Sequence, residues 1–344
     1  MGLVEALHNS HLLLDMMEHT WDINVILWLQ NLGPWMTPVM KFFSSLGYGI
    51  SYLIFVSIIY WCLDSRLGMR MAVYLPLSGV TNSILKQVIH APRPFWLDSR
   101  IIGISTETGF GMPSGHAQAA TIWLLTGAYL NKKWFWCIAV SLTFMIGVSR
   151  AYLGAHFASQ IVVGWVLGVV SVVLFLYLEA KIIPWMRAKT LAQQLLFVVF
   201  VSLGLLGIGG ICLGFNAAWR VPAEWLATAA VYLKKGQSLS PIGIKDIASS
   251  AGAFLGYSAG AILMTYIGGY SARGVLAKRF LRYAVGLCCI LILFTILQAL
   301  SPSPDAAVLY GGWKFFESFL ITFSMIFLVP VLFLRLKLAD KAQI

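Results

Sequence analysis

The chain has 344 residues, of which 59% are hydrophobic and 11% charged, and its mean hydropathy is +0.83. Soluble domains carry about 45–50% apolar and about 25% charged residues, so this chain lacks the polar surface to cover a water-exposed globule. Its apolar content also excludes disorder. Cys62, Cys137, Cys212, Cys288 and Cys289 are scattered through apolar runs, which excludes a disulfide scaffold and leaves them as small buried hydrophobes without metal spacing. The formal charge of +11 comes from 24 Lys and Arg against 13 Asp and Glu. In a soluble protein it would suggest nucleic acid; in a membrane protein it reflects basic cytoplasmic loops, and no nucleic-acid partner is expected. The fold class is therefore all-α, a polytopic membrane helical bundle. A β-barrel would show alternating segments of about ten residues, and long unbroken apolar runs stand here instead.

In chain order, the first twenty residues hold Glu5, His8, Asp15 and Glu18 and no Lys or Arg. That is the wrong charge for a secretory leader, so none is expected. The stretch 21–44 is amphipathic, broken at Gly33-Pro34 and Pro38, and reads as lying along the interface. It closes an N-terminal region, 1–45, ahead of a transmembrane core, 46–190, and additional C-terminal helices, 191–344. Crossing a ~30 Å hydrocarbon layer takes about 20 residues. Nine runs qualify: 46–63, 67–90, 116–131, 134–152, 157–180, 192–214, 245–267, 283–301 and 315–335. The third is short and belongs against protein or a polar cavity.

Arg66 and Arg70, Lys132 and Lys133, Lys181 to Lys189, Arg273 to Arg282, and Arg335 to Lys341 fall on alternate loops. The positive-inside rule makes that side cytoplasmic, with the amino terminus outside and the carboxyl terminus inside. The membrane would be the plasma (bacterial inner) membrane, or the endoplasmic reticulum in a eukaryote. Loops 91–115, 153–156 and 215–244 then face the other compartment. Within the last, 221–233 reads as a short interfacial helix roofing the site, and Trp96, Trp219 and Trp225 as members of an aromatic belt. Gly252, Gly256 and Gly260 form a small-residue ridge that favours close helix packing.

Three segments carry chemistry. Charges within membrane segments are costly and mark function. Lys86 stands late in the second span and Arg93 seven residues on, close to two helical turns, so both leave nearly one face; Pro92 and Pro94 end the helix and splay Arg93 into the loop. In the second segment, Gly111-Met-Pro-Ser114-Gly115-His116, a helix start leaves backbone N–H groups free for a phosphate. Ser114 adds a hydroxyl, and His116 has the pKa range of a general acid. The third segment is Ser149-Arg150-Ala-Tyr-Leu-Gly154-Ala-His156-Phe-Ala-Ser-Gln160. A turn at Gly154 brings Arg150, whose guanidinium fork matches phosphate oxygens, to His156. Gln160 sits one turn beyond on the same face, where its oxygen can accept from His156 Nδ1 and leave Nε2 free to attack phosphorus. Three cations and two histidines on one membrane side point to phosphoryl transfer. No carboxylate cluster has metal-ligand spacing, so neither metal nor cofactor is expected.

The pattern Lys-x6-Arg-Pro, Pro-Ser-Gly-His and Ser-Arg-x5-His resembles the signature of the type 2 phosphatidic acid phosphatase superfamily over about residues 80–165. The resemblance implies that Lys86, Arg93 and Arg150 bind phosphate with help from Ser114 and Gly115. It implies also that His156 is the nucleophile forming a phosphohistidine, that His116 is the general acid, and that water completes hydrolysis without metal. The chain departs at Gln160, where the family pattern has Asp; glutamine can orient a histidine but cannot stabilise an imidazolium by charge. A His-Phe-x-x-Gln ending and the run Glu107-Thr-Gly-Phe-Gly-Met-Pro-Ser-Gly-His116 are similar to glucose-6-phosphatases, whereas the Arg-Pro-Phe-Trp segment is similar to bacterial lipid phosphate phosphatases.

The leading expectation is a phosphatase for phosphorylated lipids, monoester or pyrophosphate, embedded among membrane lipids, because every motif sits at a span end where a head group lies. A sugar phosphatase and a non-catalytic lipid transporter or sensor are the alternatives, and a homo-oligomer is left open. His90 is read as a polar interfacial histidine ahead of a pocket-lining one, Asp98 and Glu107 as solvated loop charges ahead of substrate guides or partners of Arg100, and Lys245 with Asp246 as a local pair.

Overall fold

The computed structural model describes residues 19–235 and 237–342, so the expectation of no cleaved leader lies largely outside the described residues. The described chain is helical throughout and has no strand, an isolated bridge between Tyr270 and Lys341 aside. Helix α1 (Thr20–Gln30) and α2 (Thr37–Ser45) flank the break at Gly33-Pro34. Pro38 does not break the chain, because it occupies the first turn of α2, where a missing N–H costs nothing. Next come α3 (Gly49–Ile58), ending in a π turn at Ile59–Leu63, and α4 (Ser65–Ile89). Asp64 starts α4 by accepting from the amides of Arg66 and Leu67, both at 2.9 Å. A single turn, α5 (Pro94–Leu97), follows the double proline.

The third predicted span is divided into α6 (Gly115–Ala120) and α7 (Ile122–Leu130), because Thr121 Oγ1 donates to the Gln118 carbonyl at 2.7 Å and bends the chain there. Then come α8 (Lys133–Tyr152), α9 (Ala158–Arg187), α10 (Leu191–Phe215), the short α11 (Ala223–Ala230), α12 (Lys245–Tyr266), α13 (Leu276–Ala299), and α14 (Ala307–Phe323), which runs through a π turn into α15 (Val329–Arg335).

Among the described residues six helices are long and apolar enough to cross a membrane: α8, α9, α10, α12, α13 and the α14–α15 rod. The pair Pro34–Ser45 and Gly49–Leu63, bent by 57°, makes a seventh if it counts as one span. Helix α4 has the length, at 25 residues, but Arg66, Arg70, Asn82, Lys86 and Gln87 make it too polar to pass on composition. It is enclosed instead, with contacts to α3, α6, α7, α9, α10 and α12.

Two large cores hold the bundle, with a smaller third around Val198, Phe254 and Ala259. One joins α3, α4, α13 and the α14–α15 rod around Tyr60, Trp61, Met71, Met325 and Phe333. The other lies at the motif end around Phe95, Trp96, Phe110, Tyr152 and Phe157. Trp96 and Trp225 belong to this second core, 0% and 8% exposed with ring centroids 5.7 Å apart. Their assignment to a lipid-facing belt is therefore corrected: α11 covers α5 and packs them between the two. Lys245 and Asp246 form no ion pair. On α12, a Cβ at Gly252 would collide with the backbone carbonyl of Phe315, and one at Gly256 with Thr322 and the Phe319 carbonyl. The ridge therefore lets α12 and α14 approach backbone to backbone.

Candidate active site

The ends of α4, α6, α8 and α9 meet at one end of the bundle. Helix α4 stops because His90 takes a left-handed conformation and donates its amide to the Lys86 carbonyl at 3.3 Å. The following Ala-Pro-Arg-Pro is extended and turns Arg93 inward, where it is 1% exposed. On α8, the Arg150 carbonyl accepts from the amides of Ala155 and His156 at 3.0 and 3.2 Å. That reversal depends on Gly154, which has φ +68° and whose added Cβ would stand 2.5 Å from the Ile102 carbonyl.

Arg93 makes four hydrogen bonds and one ion pair. Nε donates to the Gly109 carbonyl at 2.5 Å. Nη1 reaches the Ala155 carbonyl at 2.9 Å and His156 Nε2 at 3.1 Å. Nη2 reaches the Phe110 carbonyl at 3.1 Å and Glu107 Oε2 at 3.0 Å. A guanidinium only donates, so His156 Nε2 must carry the lone pair. Gln160 requires the same tautomer. Its Nε2 donates to the Pro92 carbonyl at 2.7 Å, which turns its Oε1 toward His156 Nδ1 at 3.2 Å and the Phe157 amide at 3.3 Å. The proton of His156 thus sits on Nδ1, and Nε2 faces the cations as a free base. Burial, then Arg93 and Arg150, push the His156 imidazole well below its usual range, so it is neutral at neutral pH.

Arg150 is 0% exposed. Its Nη1 donates to Ser44 Oγ at 2.6 Å and approaches Ser105 Oγ at 3.5 Å, and its Nη2 bonds Glu107 Oε1. One carboxylate therefore spans both arginines. Burial works to raise the Glu107 carboxyl, but Arg93 and Arg150 outweigh it and hold it well below the usual carboxylate range. Glu107, by default a solvated loop charge, is instead a site residue. The signal in the sequence was an acid seven residues before Ser114, one of two acids in a loop that carries two arginines, Arg93 and Arg100.

Of the other predicted residues, Ser114 is fully buried, caps α6 through the Ala117 amide at 3.5 Å, and is tied to the α9 start by its own amide on the Gln160 carbonyl at 3.1 Å. Gly115 follows as the first residue of α6, against Asn82 of α4. His116 and Lys86 do not touch the arginines but lie within the electrostatic reach of Arg93, Arg150 and Glu107. The His116 ring packs edge-on against Tyr48 at 4.7 Å, and its Nε2 is buried without a partner, as is Nε of Arg150. Buried polar atoms seldom go unpaired, and two of them beside three cations suit an anion with several acceptor oxygens. His90 is half-buried, stacks on Trp219 at 5.4 Å and abuts Phe110. Asp98 is buried and occupied by Arg100 at 2.6 Å, so it faces no site.

Comparison with known proteins follows the same segments. Residues 67–184 match the PAP2 superfamily, and residues 248–341 match the family described as PAP2 superfamily phosphatase, transmembrane extension. The undecaprenyl-diphosphatase of Sulfolobus acidocaldarius is 25% identical over 104 residues, 30% of this chain and half of that one. Phosphatidylglycerophosphatase B of Bacillus subtilis is 27% identical over 163 residues, 43% of this chain and 78% of the relative. The glucose-6-phosphatase catalytic subunit 1 of Mus musculus is 23% identical over 311 residues, 81% of this chain and 84% of the relative.

Proposed function

We propose that this chain, an integral membrane protein that belongs to the PAP2 superfamily through its matched domain and transmembrane extension, is a phosphatase acting through a phosphohistidine. The single observation that carries the reading is the state of His156: its Nδ1 proton is held by Gln160, and its Nε2 lone pair lies 3.1 Å from Arg93 Nη1. A base so placed beside two phosphate-matching guanidiniums is a nucleophile awaiting phosphorus.

In the proposed reaction, the phosphate of the substrate takes the position of the Glu107 carboxylate between Arg93 and Arg150, with Lys86, Ser114 and the Gly115 amide toward its remaining oxygens. His156 Nε2 bonds to phosphorus as the ester P–O bond breaks, and His116 gives its proton to the leaving oxygen. The phosphoimidazolium keeps its Nδ1–H on Gln160 Oε1. Water then attacks phosphorus, His116 takes its proton, the P–N bond breaks, and inorganic phosphate leaves. The arginines spread the charge of the equatorial oxygens in both steps. This chemistry needs no metal, and phosphate release should persist in EDTA.

In this reading the site faces the extracytoplasmic side at the ends of nine spans, with α4 and the divided α6–α7 segment crossing inside the protein. Core 46–190 does the chemistry while 191–344 supplies the additional helices. The preferred substrate class is a lipid phosphate or pyrophosphate, supported by two relatives named for such substrates. A sugar-phosphate reading is favoured by one observation, the span of the glucose-6-phosphatase match over most of both chains. Phosphate release by purified protein from a lipid and sugar phosphate panel, in EDTA and with vanadate as inhibitor, tests the reading. Trapped phosphate on wild type and none on His156→Ala is the expected result; equal turnover by His156→Ala refutes it.

A further inference from the structure

Lys86 and Gly115 border a second space. A cavity of about 300 Å³ runs between α4, α6 and α12. On α4 it is lined at positions 75, 79, 82 and 86, a stripe at three- and four-residue spacing that descends about 16 Å along the helix. Helix α12, within the matched transmembrane extension but for its first three residues, brings Asp246, Ser249 and Ser250 to the opposite wall. The cavity is polar beside Lys86 and apolar at its floor, where Leu75 and Ala119 close it.

Asn82 spends its amide on the Pro113 carbonyl and on Gln118, but five other polar groups on these walls are unspent. Hydroxyls on these helices ordinarily bond a carbonyl one turn back, as Thr81, Thr126, Thr143 and Thr265 do at 2.8–2.9 Å. Ser83, Ser249, Ser250, the Asp246 carboxylate and the Lys86 ammonium have no such partner among the described residues. Three hydroxyls that donate and accept and a carboxylate that accepts are complementary to a polyol, with the Lys86 ammonium above them toward the phosphate. A hydrocarbon would leave these four unpaired and dry. The volume is at the small end of ligand pockets, suited to a glycerol or a hexose and far too small for a polyprenyl chain.

Resting on the phosphatase reading above, we propose that the α4–α12 cavity is the subsite for the alcohol part of the substrate. It selects phosphomonoesters whose alcohol bears free hydroxyl groups, a glycerol head group or a sugar, over prenyl and alkyl phosphates. The extension is then part of the substrate site: its first helix reads what the PAP2 domain cleaves.

The test measures kcat/KM of the full chain in mixed micelles on four probes: a lipid ending in glycerol phosphate, glucose 6-phosphate, farnesyl phosphate and p-nitrophenyl phosphate. Wild type should favour a hydroxylated probe over farnesyl phosphate by tenfold or more, and whether that probe is the lipid or the sugar identifies the source. In Ser249→Ala/Ser250→Ala and in Asp246→Asn, the ratio of hydroxylated probe to farnesyl phosphate should fall roughly tenfold, the effect of one or two lost hydrogen bonds. An unchanged vanadate inhibition constant shows that the variants fold. A wild-type preference for farnesyl phosphate, or variants that lose all four activities in proportion, overturns the subsite alone. No release from any probe overturns the phosphatase reading and the subsite with it.

Discussion

Glu107→Gln is the most informative single change, because it removes an anion from between two buried arginines and keeps the shape. At 3.0 Å and an effective dielectric of about 20, each carboxylate–guanidinium contact is worth about 5 kcal/mol of gross attraction. Most of that is offset by desolvation. Breaking a buried pair by deleting one partner costs about 3–5 kcal/mol, and the Glu107 side chain, 29% exposed, belongs at or below the low end, roughly 2–3 kcal/mol. The variant should therefore melt earlier than wild type in detergent. Vanadate must expel the carboxylate from wild type but meets two bare guanidiniums in Glu107→Gln, so its inhibition constant should tighten at least ~10-fold, a gain of about 1.4 kcal/mol. Vanadate at a hundred times its dissociation constant adds about 2.7 kcal/mol, enough to restore the melting temperature. Thermal shift against vanadate concentration measures both effects on one sample. Equal or weaker vanadate binding by Glu107→Gln refutes the idea that the carboxylate stands where phosphate binds.

Other expectations follow from the same geometry. Gln160→Leu removes the acceptor of His156 Nδ1 and frees the ring to take the wrong tautomer, so phosphorylation should slow by about 10²-fold or more with KM little changed, read by single-turnover kinetics. Because burial and the two arginines hold the His156 pKa down, the free enzyme keeps its nucleophile neutral as pH falls through ~6.5. The acid limb of kcat/KM should then lie below that ordinary histidine value; a limb above ~6.5 contradicts the assignment. Gly252→Ala sets a Cβ against the Phe315 carbonyl, which belongs to a helix backbone and cannot move aside. It should lower stability by about 1–3 kcal/mol, seen as a fall in melting temperature.

How much of this was legible in the sequence depends on whether the deciding neighbour was near in the chain. His156 and Gln160 are four residues apart, and the Arg150–His156 reversal is written in Gly154; both contacts could be read from spacing, although α9 begins only at Ala158 and Gln160 reaches back from its first turn. The fate of Glu107 could not, because its partners lie fourteen residues before it and forty-three after it, and a loop carboxylate has no periodicity to betray where it folds. Trp96 and Trp225 were misjudged for a related reason. Tryptophan near a span end suits an interface by composition, and only the packing of α11 over α5 shows that these two rings face each other. The polar character of α4 was visible residue by residue, yet its consequence, a long helix that depends on its neighbours for shielding, emerges only when they are in place.

A site that holds two buried guanidiniums must remain ordered both when the phosphate is absent and while it is being exchanged. Arg93 manages this with backbone: three of its five N–H groups sit on the carbonyls of Gly109, Phe110 and Ala155, which cannot leave with the substrate. Arg150 rests on the Ser44 hydroxyl from α2. Nη2 of each arginine meets Glu107, and Glu107 belongs to the irregular segment after α5, where a carboxylate can move aside without displacing any helix. Donors fixed by the fold need no reorganisation when charge develops on phosphorus, and in the proposed reaction the Glu107 carboxylate supplies neutrality between turnovers. The division of labour sets cations anchored by backbone carbonyls and a helix hydroxyl against a counter-ion on an irregular segment.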